Sequence, residues 1–216
     1  MKFKSYQTTI ALSLIFFLAL QIPFTRILNS GISFTLFDFF APVTGAFLGT
    51  SLGIFSVLIA QGLNIIFHGI SNLNLAVLIR IVPTLFAVGY FSQKRQANPI
   101  IALLCIIAFN LNPIGRSAWE YSLFWIIPVI ANRFHTNLFL RSLGATFTAH
   151  GVGSVLWLYA FGLPKEMWLT LIPQVMMERT LFAAGISVSY QIGILIQQYF
   201  SPVRSTQKLI MPQRFN

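Results

Sequence analysis

The sequence predicts an all-α integral membrane protein, a polytopic helical bundle of six core spans plus an extra hairpin, with up to eight membrane segments. Of its 216 residues, 56% are hydrophobic and only 8% are charged, which is far from the composition of a soluble domain. Apolar runs recur along nearly the whole length. We therefore expect residues 1–216 to form a single multi-pass domain in the cell membrane, surrounded by the lipid bilayer.

Apolar segments occupy roughly residues 8–25, 36–49, 51–67, 73–92, 99–112, 118–132, 142–163 and 167–199. Several are shorter than the about 20 residues that a helix needs to cross a bilayer. Two joins are open. Residues 36–67 form either one long helix or two short helices that meet at Gly49, and residues 99–132 form either a hairpin around Pro113 or one broken helix.

The first segment follows the basic start Met-Lys-Phe-Lys and runs to Phe24, as the apolar part of a signal peptide would. No small-x-small cleavage site follows it, so we interpret it as an uncleaved first span.

Basic residues distinguish the topologies, because cytoplasmic loops carry an excess of Lys and Arg. Eight segments with the N-terminus inside give nine basic residues inside and three outside, whereas six spans give seven and four. Seven spans give four inside and eight outside. The charges favour eight segments with both termini in the cytoplasm. The nine inside residues are Lys2, Lys4, Lys94, Arg95, Arg133, Arg141, Arg204, Lys208 and Arg214.

The formal charge of +10 comes from residues scattered between apolar segments rather than clustered in a patch. This pattern argues against a nucleic-acid partner. The basic tail from 202 to 216 is instead expected to lie beside anionic lipid on the cytoplasmic side.

Small residues recur every fourth position from Asp38 onward, at Ala41, Gly45, Gly49 and Gly53. On a helix this spacing gives a flat stripe where another backbone can come close, and it is typical of helix–helix packing in membranes. We expect this stripe to pack against a partner. Because the charge count requires a turn near Gly49, the stripe is divided between two short helices, with the turn in the cytoplasm.

Polar side chains inside membrane segments are costly and therefore informative. Counting 1.5 Å per residue along each segment puts eight of them in the outer half of the membrane, where we expect a substrate pocket. Individually, each could instead snorkel or cap a helix end. The eight residues are Asp38, Asn64, Arg80, Asn110, Arg116, Trp119, Glu120 and Gln174.

Arg80 needs a carboxylate, a carbonyl fork or a ligand anion, because it lies within an apolar segment. Asp38 and Glu120 are its candidate partners at a similar depth. A structural ion pair and a ligand contact both remain open.

A second polar group lies near the middle of the membrane and contains His150, Glu178 and Arg179. Gln174 and Glu178 are four residues apart and share a helix face, while Arg179 points about 100° away. This group is interpreted as a substrate contact, a proton site or a structural lock between the last two helices.

Enzyme motifs are weak. His150 and Ser154 are four residues apart, as in a distant likeness to an intramembrane serine protease, but no oxyanion hole is evident. There is no His-Glu-x-x-His, no cluster of metal ligands and no phosphate-binding glycine loop, so we expect neither enzymatic activity, nor a cofactor, nor an ATPase of its own. The lone Cys105 excludes an intramolecular disulfide.

The sequence resembles the substrate-binding (S) components of energy-coupling factor vitamin transporters. Residues 37–53 resemble that family's second span and the glycine turn into its third, and the span from Leu75 to Arg95 is similar to its fourth. Residues 145–164 and 168–199 resemble its last two helices, with Pro173 and Glu178 at matching places. Residues 99–133 look like an added hairpin.

The resemblance implies a bacterial or archaeal plasma-membrane subunit that captures a vitamin-like small molecule from outside. Inward release would need a coupling (T) protein and ATPase subunits. Two alternatives are a non-transporting scaffold similar in shape to the cell-shape protein MreD, and a stand-alone secondary transporter with Glu178 and His150 as its proton relay. A hydrolase using His150 and Ser154 is a third.

Overall fold

A computed structural model of the chain describes residues 5–26, 33–70, 74–92 and 98–200. The predicted basic tail from 202 to 216 lies outside these residues, as do Lys2, Lys4, Lys94 and Arg95.

The described chain is helical apart from one short two-stranded ribbon. Three helical segments are long and apolar enough to cross a membrane, Thr50–His68, Leu75–Ser92 and Ile172–Gln198. The strands are β1 (Pro23–Arg26) and β2 (Ser33–Thr35), and 3-10 turns lie at Leu123–Trp125 and Asn132–Phe134. The helices are α1 (Ser5–Leu20), α2 (Phe37–Leu48), α3 (Thr50–His68), α4 (Leu75–Ser92), α5 (Asn98–Leu111), α6 (Pro113–Ser117), α7 (Trp119–Ser122), α8 (Ile126–Ala131), α9 (Leu138–Phe161), α10 (Lys165–Thr170) and α11 (Ile172–Phe200).

The ribbon departs from the all-α prediction, which extended the first apolar segment to residue 25. α1 instead ends at Leu20, and antiparallel strands β1 and β2 follow, with Pro23 opposite Thr35. Proline removes a helical N–H and the next residues, Phe24 and Thr25, favour extended backbone. The ribbon joins the end of α1 to the start of α2.

The chain breaks at Gly49, as the charge count predicts. Gly49 has a φ of 81°, a conformation that costs glycine little and other residues much. α3 then returns along α2. The two helices approach closely, as a Cβ added at Gly53 would lie 3.0 Å from the backbone nitrogen of Gly45. Residues 36–67 therefore form two short helices.

The second ambiguous segment also breaks at the expected place. The side chain of Asn112 accepts a hydrogen bond of 2.9 Å from the backbone N–H of Ile114, and Pro113 occupies the first position of α6. Both are typical helix-start features. The short helices α7 and α8 then pack back on α5, so residues 98–134 form a hairpin.

The last two long helices have clear ends. The Asn137 side chain caps the start of α9 at Leu140, and α9 finishes at Gly162, which has a left-handed φ of 58°. The predicted segment 167–199 is divided, because α10 ends at Thr170 and α11 begins at Ile172, directly before Pro173.

The core has three clusters of buried side chains. An aromatic cluster is built by the hairpin on α9, a second is built from α1 to α4, and a third lies where α2, α4, α9 and α11 meet. Helices α4 and α9 form the most extensive pair. The outer surface carries many exposed large apolar side chains, which would be unfavourable in water. This surface and the three long apolar helices indicate association with a membrane. Examples are Leu14, Leu18, Phe55, Leu103, Ile107, Ile192 and Leu195.

Candidate functional site

A small polar cleft lies where α2, α4, α9 and α11 meet. It contains a cavity of about 40 Å³, enough for about three water molecules. Four polar side chains, one from each helix, line it together with apolar groups. The lining residues are Asp38, Thr84, Thr146 and Arg179, with Pro42, Ala87, Ala149, Phe182 and Ile186.

Asp38 reaches the cleft from the first turn of α2. Its Oδ2 atom accepts a hydrogen bond of 2.9 Å from the backbone N–H of Thr35, and the Thr35 hydroxyl lies 3.5 Å from the same oxygen. An acidic side chain suits this position, because the helix N-terminus carries partial positive charge. The local sequence therefore fixes one carboxylate oxygen to the backbone.

Arg179 enters the cleft from α11. Its guanidinium donates to the Thr146 hydroxyl at 3.4 Å and lies 3.7 Å from the Glu178 carboxylate. The guanidinium also lies 4.7 Å from the centre of the Phe182 ring, within cation–π range. The sequence groups Arg179 with Glu178 and His150 as a substrate contact, a proton site or a structural lock, and in the structure Arg179 lines the cleft.

Glu178 lies behind Arg179 and is 7% exposed. Gln174 donates a hydrogen bond of 2.9 Å to its Oε1 atom, which confirms that these two residues share a face. With Gln174 on one oxygen and Arg179 near the other, the carboxylate neutralises the guanidinium inside the bundle.

Arg80 is exposed on α4, one turn before Thr84. Its charge acts electrostatically on Asp38, as does the charge of Arg179. Two carboxylates were predicted as partners of Arg80. Asp38 is within electrostatic range of Arg80, whereas Glu120 is an exposed residue of the hairpin.

His150 lies in an aromatic cage next to the cleft. Its Nε2 atom is 2.8 Å from the Tyr121 hydroxyl, and its Nδ1 atom accepts a hydrogen bond of 3.2 Å from Trp125. An indole N–H can only donate, so Nδ1 carries no proton and Nε2 does. The network therefore assigns a neutral imidazole that donates to the oxygen of Tyr121.

This tautomer bears on the proposed pairing of His150 with Ser154. The Ser154 hydroxyl is 3.5 Å from Nε2, which is the protonated nitrogen. A general base needs a free lone pair directed at the nucleophile. Nδ1 is the ring nitrogen with a lone pair, and it already accepts the hydrogen bond from Trp125. The geometry does not activate Ser154.

Tyr121→Phe is expected to lower the free energy of unfolding by about 1–3 kcal/mol, because it leaves the buried Nε2–H of His150 without its acceptor. Ser154→Ala should have a smaller effect, since it leaves the hydrogen bond between Tyr121 and His150 in place. Thermal unfolding of the purified variants in detergent checks this. Equal effects of the two substitutions would contradict the assigned network.

Of the ten predicted substrate residues, Asp38 lines the cavity and the other nine do not. Five of those nine lie in the hairpin or in α3. Asn110 donates to Ser122 at 3.0 Å, and Arg116 donates to the Asn110 carbonyl at 3.2 Å, so both join the turns of the hairpin. The side-chain oxygen of Asn64 accepts a hydrogen bond of 2.8 Å from the side chain of Gln21, directly after α1. Trp119 and Glu120 are exposed on α7.

The small-residue stripe faces the interior of the chain. Ala41, Gly45 and Gly53 are buried, and only Gly49 at the turn is exposed. A Cβ added at Gly45 would lie 2.5 Å from the carbonyl oxygen of Val88 in α4. The backbone that approaches the stripe is this chain's own.

No group of three His, Cys, Asp or Glu residues that could hold a metal ion occurs in the described ranges. The cleft offers hydrogen-bonding and ionic contacts instead, with carboxylate and hydroxyl acceptors beside a guanidinium donor. Thr84 and Thr146 were not singled out from the sequence, because single threonines are common in apolar helices and carry no distinctive spacing.

Comparison with family models, with curated proteins and with solved structures found no match to the chain.

Proposed function

We propose that the chain is the membrane-embedded substrate-capture subunit of an energy-coupling factor importer, which binds a vitamin-like small molecule and works with a coupling protein and ATPase subunits. The observation that carries the capture step is the cleft itself, in which Asp38 and Arg179 share a space inside an otherwise apolar bundle. Charged groups at such places are costly and are typical of substrate pathways.

The importer class rests on the resemblance of residues 37–53, 75–95 and 145–199 to S components. In this proposal the chain is multi-pass in a bacterial or archaeal plasma membrane, with both termini in the cytoplasm. The breaks at Gly49 and Asn112 support it, because the eight-segment charge count requires both. Asp38 then lies toward the outside and the Gly49 turn toward the cytoplasm.

Cysteine labelling tests this topology. In a Cys105→Ala background, single cysteines are introduced at the exposed positions Ser51, Ser117, Thr136 and Glu166. A membrane-impermeant maleimide added to intact cells should label positions 117 and 166, and positions 51 and 136 only after permeabilisation. Labelling of position 51 from outside would overturn the proposed orientation.

Mass spectrometry of the purified protein tests the function. Wild-type protein should retain one small molecule close to stoichiometrically and co-purify with coupling and ATPase subunits. Asp38→Asn should lose the small molecule, whereas Glu166→Gln, at an exposed residue of α10, should keep it. The proposal fails if wild type retains nothing, or if Asp38→Asn retains as much as wild type.

A transport assay separates the importer from a stand-alone secondary transporter. Uptake into vesicles should require ATP and the partner subunits and should persist when the proton gradient is collapsed. Uptake by the chain alone that follows the proton gradient would replace the importer proposal with the secondary transporter.

A further inference from the structure

We infer that the cleft binds the zwitterionic head of an amino-acid-like solute, with the ligand ammonium on Asp38 and Thr84 and the ligand carboxylate toward Arg179. This inference rests on the proposed capture function and names the substrate class of the same site.

The acceptor side of the cleft is formed by Asp38 and Thr84. Both hydrogen bonds that Asp38 receives from Thr35 end on Oδ2, and within the described part of the chain Oδ1 accepts none. The hydroxyl of Thr84 likewise has no hydrogen-bond partner among the described residues. An ammonium group donates three hydrogen bonds, so these two oxygens form a suitable receptor for it.

The donor side is the guanidinium of Arg179, which reaches the same cavity from α11. Among the residues that the structure describes, the only ion pair within 4 Å joins Arg179 to Glu178. The Asp38 carboxylate and the guanidinium therefore border one cavity without direct contact. A ligand carboxylate suits the guanidinium, because its five donors match that planar group.

The charge balance favours a ligand with no net charge. The cavity lining carries one carboxylate, that of Asp38, and one guanidinium, that of Arg179. A ligand with a single net charge would add an uncompensated charge in a medium of low dielectric constant. A zwitterion keeps the balance and contacts both charges.

The size of the cavity agrees with a small head group. A volume of about 40 Å³ accommodates only a few non-hydrogen atoms, as in an ammonium, a carboxylate and the carbon between them. Phe182, Ile186 and Ala87 line the remaining wall, so an apolar side chain on the ligand would be favoured.

Equilibrium binding of radiolabelled amino acids to the purified chain tests the inference. After the best-bound amino acid has been found among the twenty standard ones, it is compared with the amine that lacks its carboxylate and the acid that lacks its ammonium. Each analogue should bind at least tenfold more weakly than the parent. Equal binding of the amine or the acid would overturn the inference.

Two variants test the acceptor side. Asp38→Asn and Thr84→Val should each weaken binding of the amino acid at least fivefold, and Glu166→Gln should leave it unchanged. Thr84→Val is the more informative variant. The hydroxyl of Thr84 makes no hydrogen bond within the described chain, so its removal should not lower the unfolding temperature. Unchanged binding by both variants would overturn the inference.

The outcomes also separate the two proposals. Suppose that a stoichiometric small molecule co-purifies and depends on Asp38, but no amino acid displaces it. The proposed capture function then holds, and the inference of a zwitterionic ligand is wrong. If no small molecule co-purifies and no amino acid binds, the capture function fails and the inference fails with it.

Discussion

Gly45→Ala should lower the free energy of unfolding by about 2–3 kcal/mol. The new methyl carbon would lie 2.5 Å from the carbonyl oxygen of Val88 and 2.7 Å from the Cβ of Ser92. Neither atom can move aside alone, because both are held by the backbone of α4. Helices α2 and α4 must therefore separate, and overpacking of this kind typically costs about 1–3 kcal/mol or more.

The thermal unfolding midpoint in detergent measures this effect. For a chain of this size each kcal/mol lowers the midpoint by about 2–4 °C, so we expect a decrease of several degrees. Gly62→Ala is the matched control, because no atom lies within 4 Å of its added Cβ and alanine is the better helix former. Its midpoint should be unchanged or higher.

A different pattern would support the partner-packing hypothesis for the stripe. If Gly45→Ala unfolds at the wild-type temperature but no longer co-purifies with a partner subunit, the stripe is a docking surface between chains. The scaffold hypothesis requires that result.

The stripe illustrates which features of the fold were predictable. A four-residue repeat of small side chains predicts that another backbone comes close, and α4 does so at Gly45. The repeat cannot identify the approaching helix, because that depends on how the helices assemble. The turn at Gly49 was predictable from an independent signal, the distribution of basic residues.

Part of the candidate site was predictable from the polar residues that lie within apolar segments. Depth follows from counting residues along a helix, and this brought Asp38, Gln174 and Glu178 into consideration. Lateral position and helix rotation depend on packing. Trp119 and Glu120 share the predicted outer level yet lie exposed on α7, whereas Arg179 lines the cleft beside Glu178 because of the rotation of α11.

Arg179→Gln should be the most destabilising change in the cleft. Glu178 is nearly buried and lies 3.7 Å from the guanidinium, so the substitution leaves its carboxylate charge without that compensation. Removing one partner of a buried pair typically costs about 3–5 kcal/mol. The double variant Glu178→Gln with Arg179→Gln should be clearly more stable than Arg179→Gln alone, because it removes both charges together.

The double variant separates the structural role of the pair from its role in binding. A pure structural lock predicts that the double variant regains both stability and ligand retention. If Arg179 also contacts the ligand, stability returns and retention does not, because the ligand carboxylate has lost its donor. We expect the second result, measured as the unfolding midpoint and the bound ligand per chain, since Arg179 borders the cavity directly whereas Glu178 lies behind it.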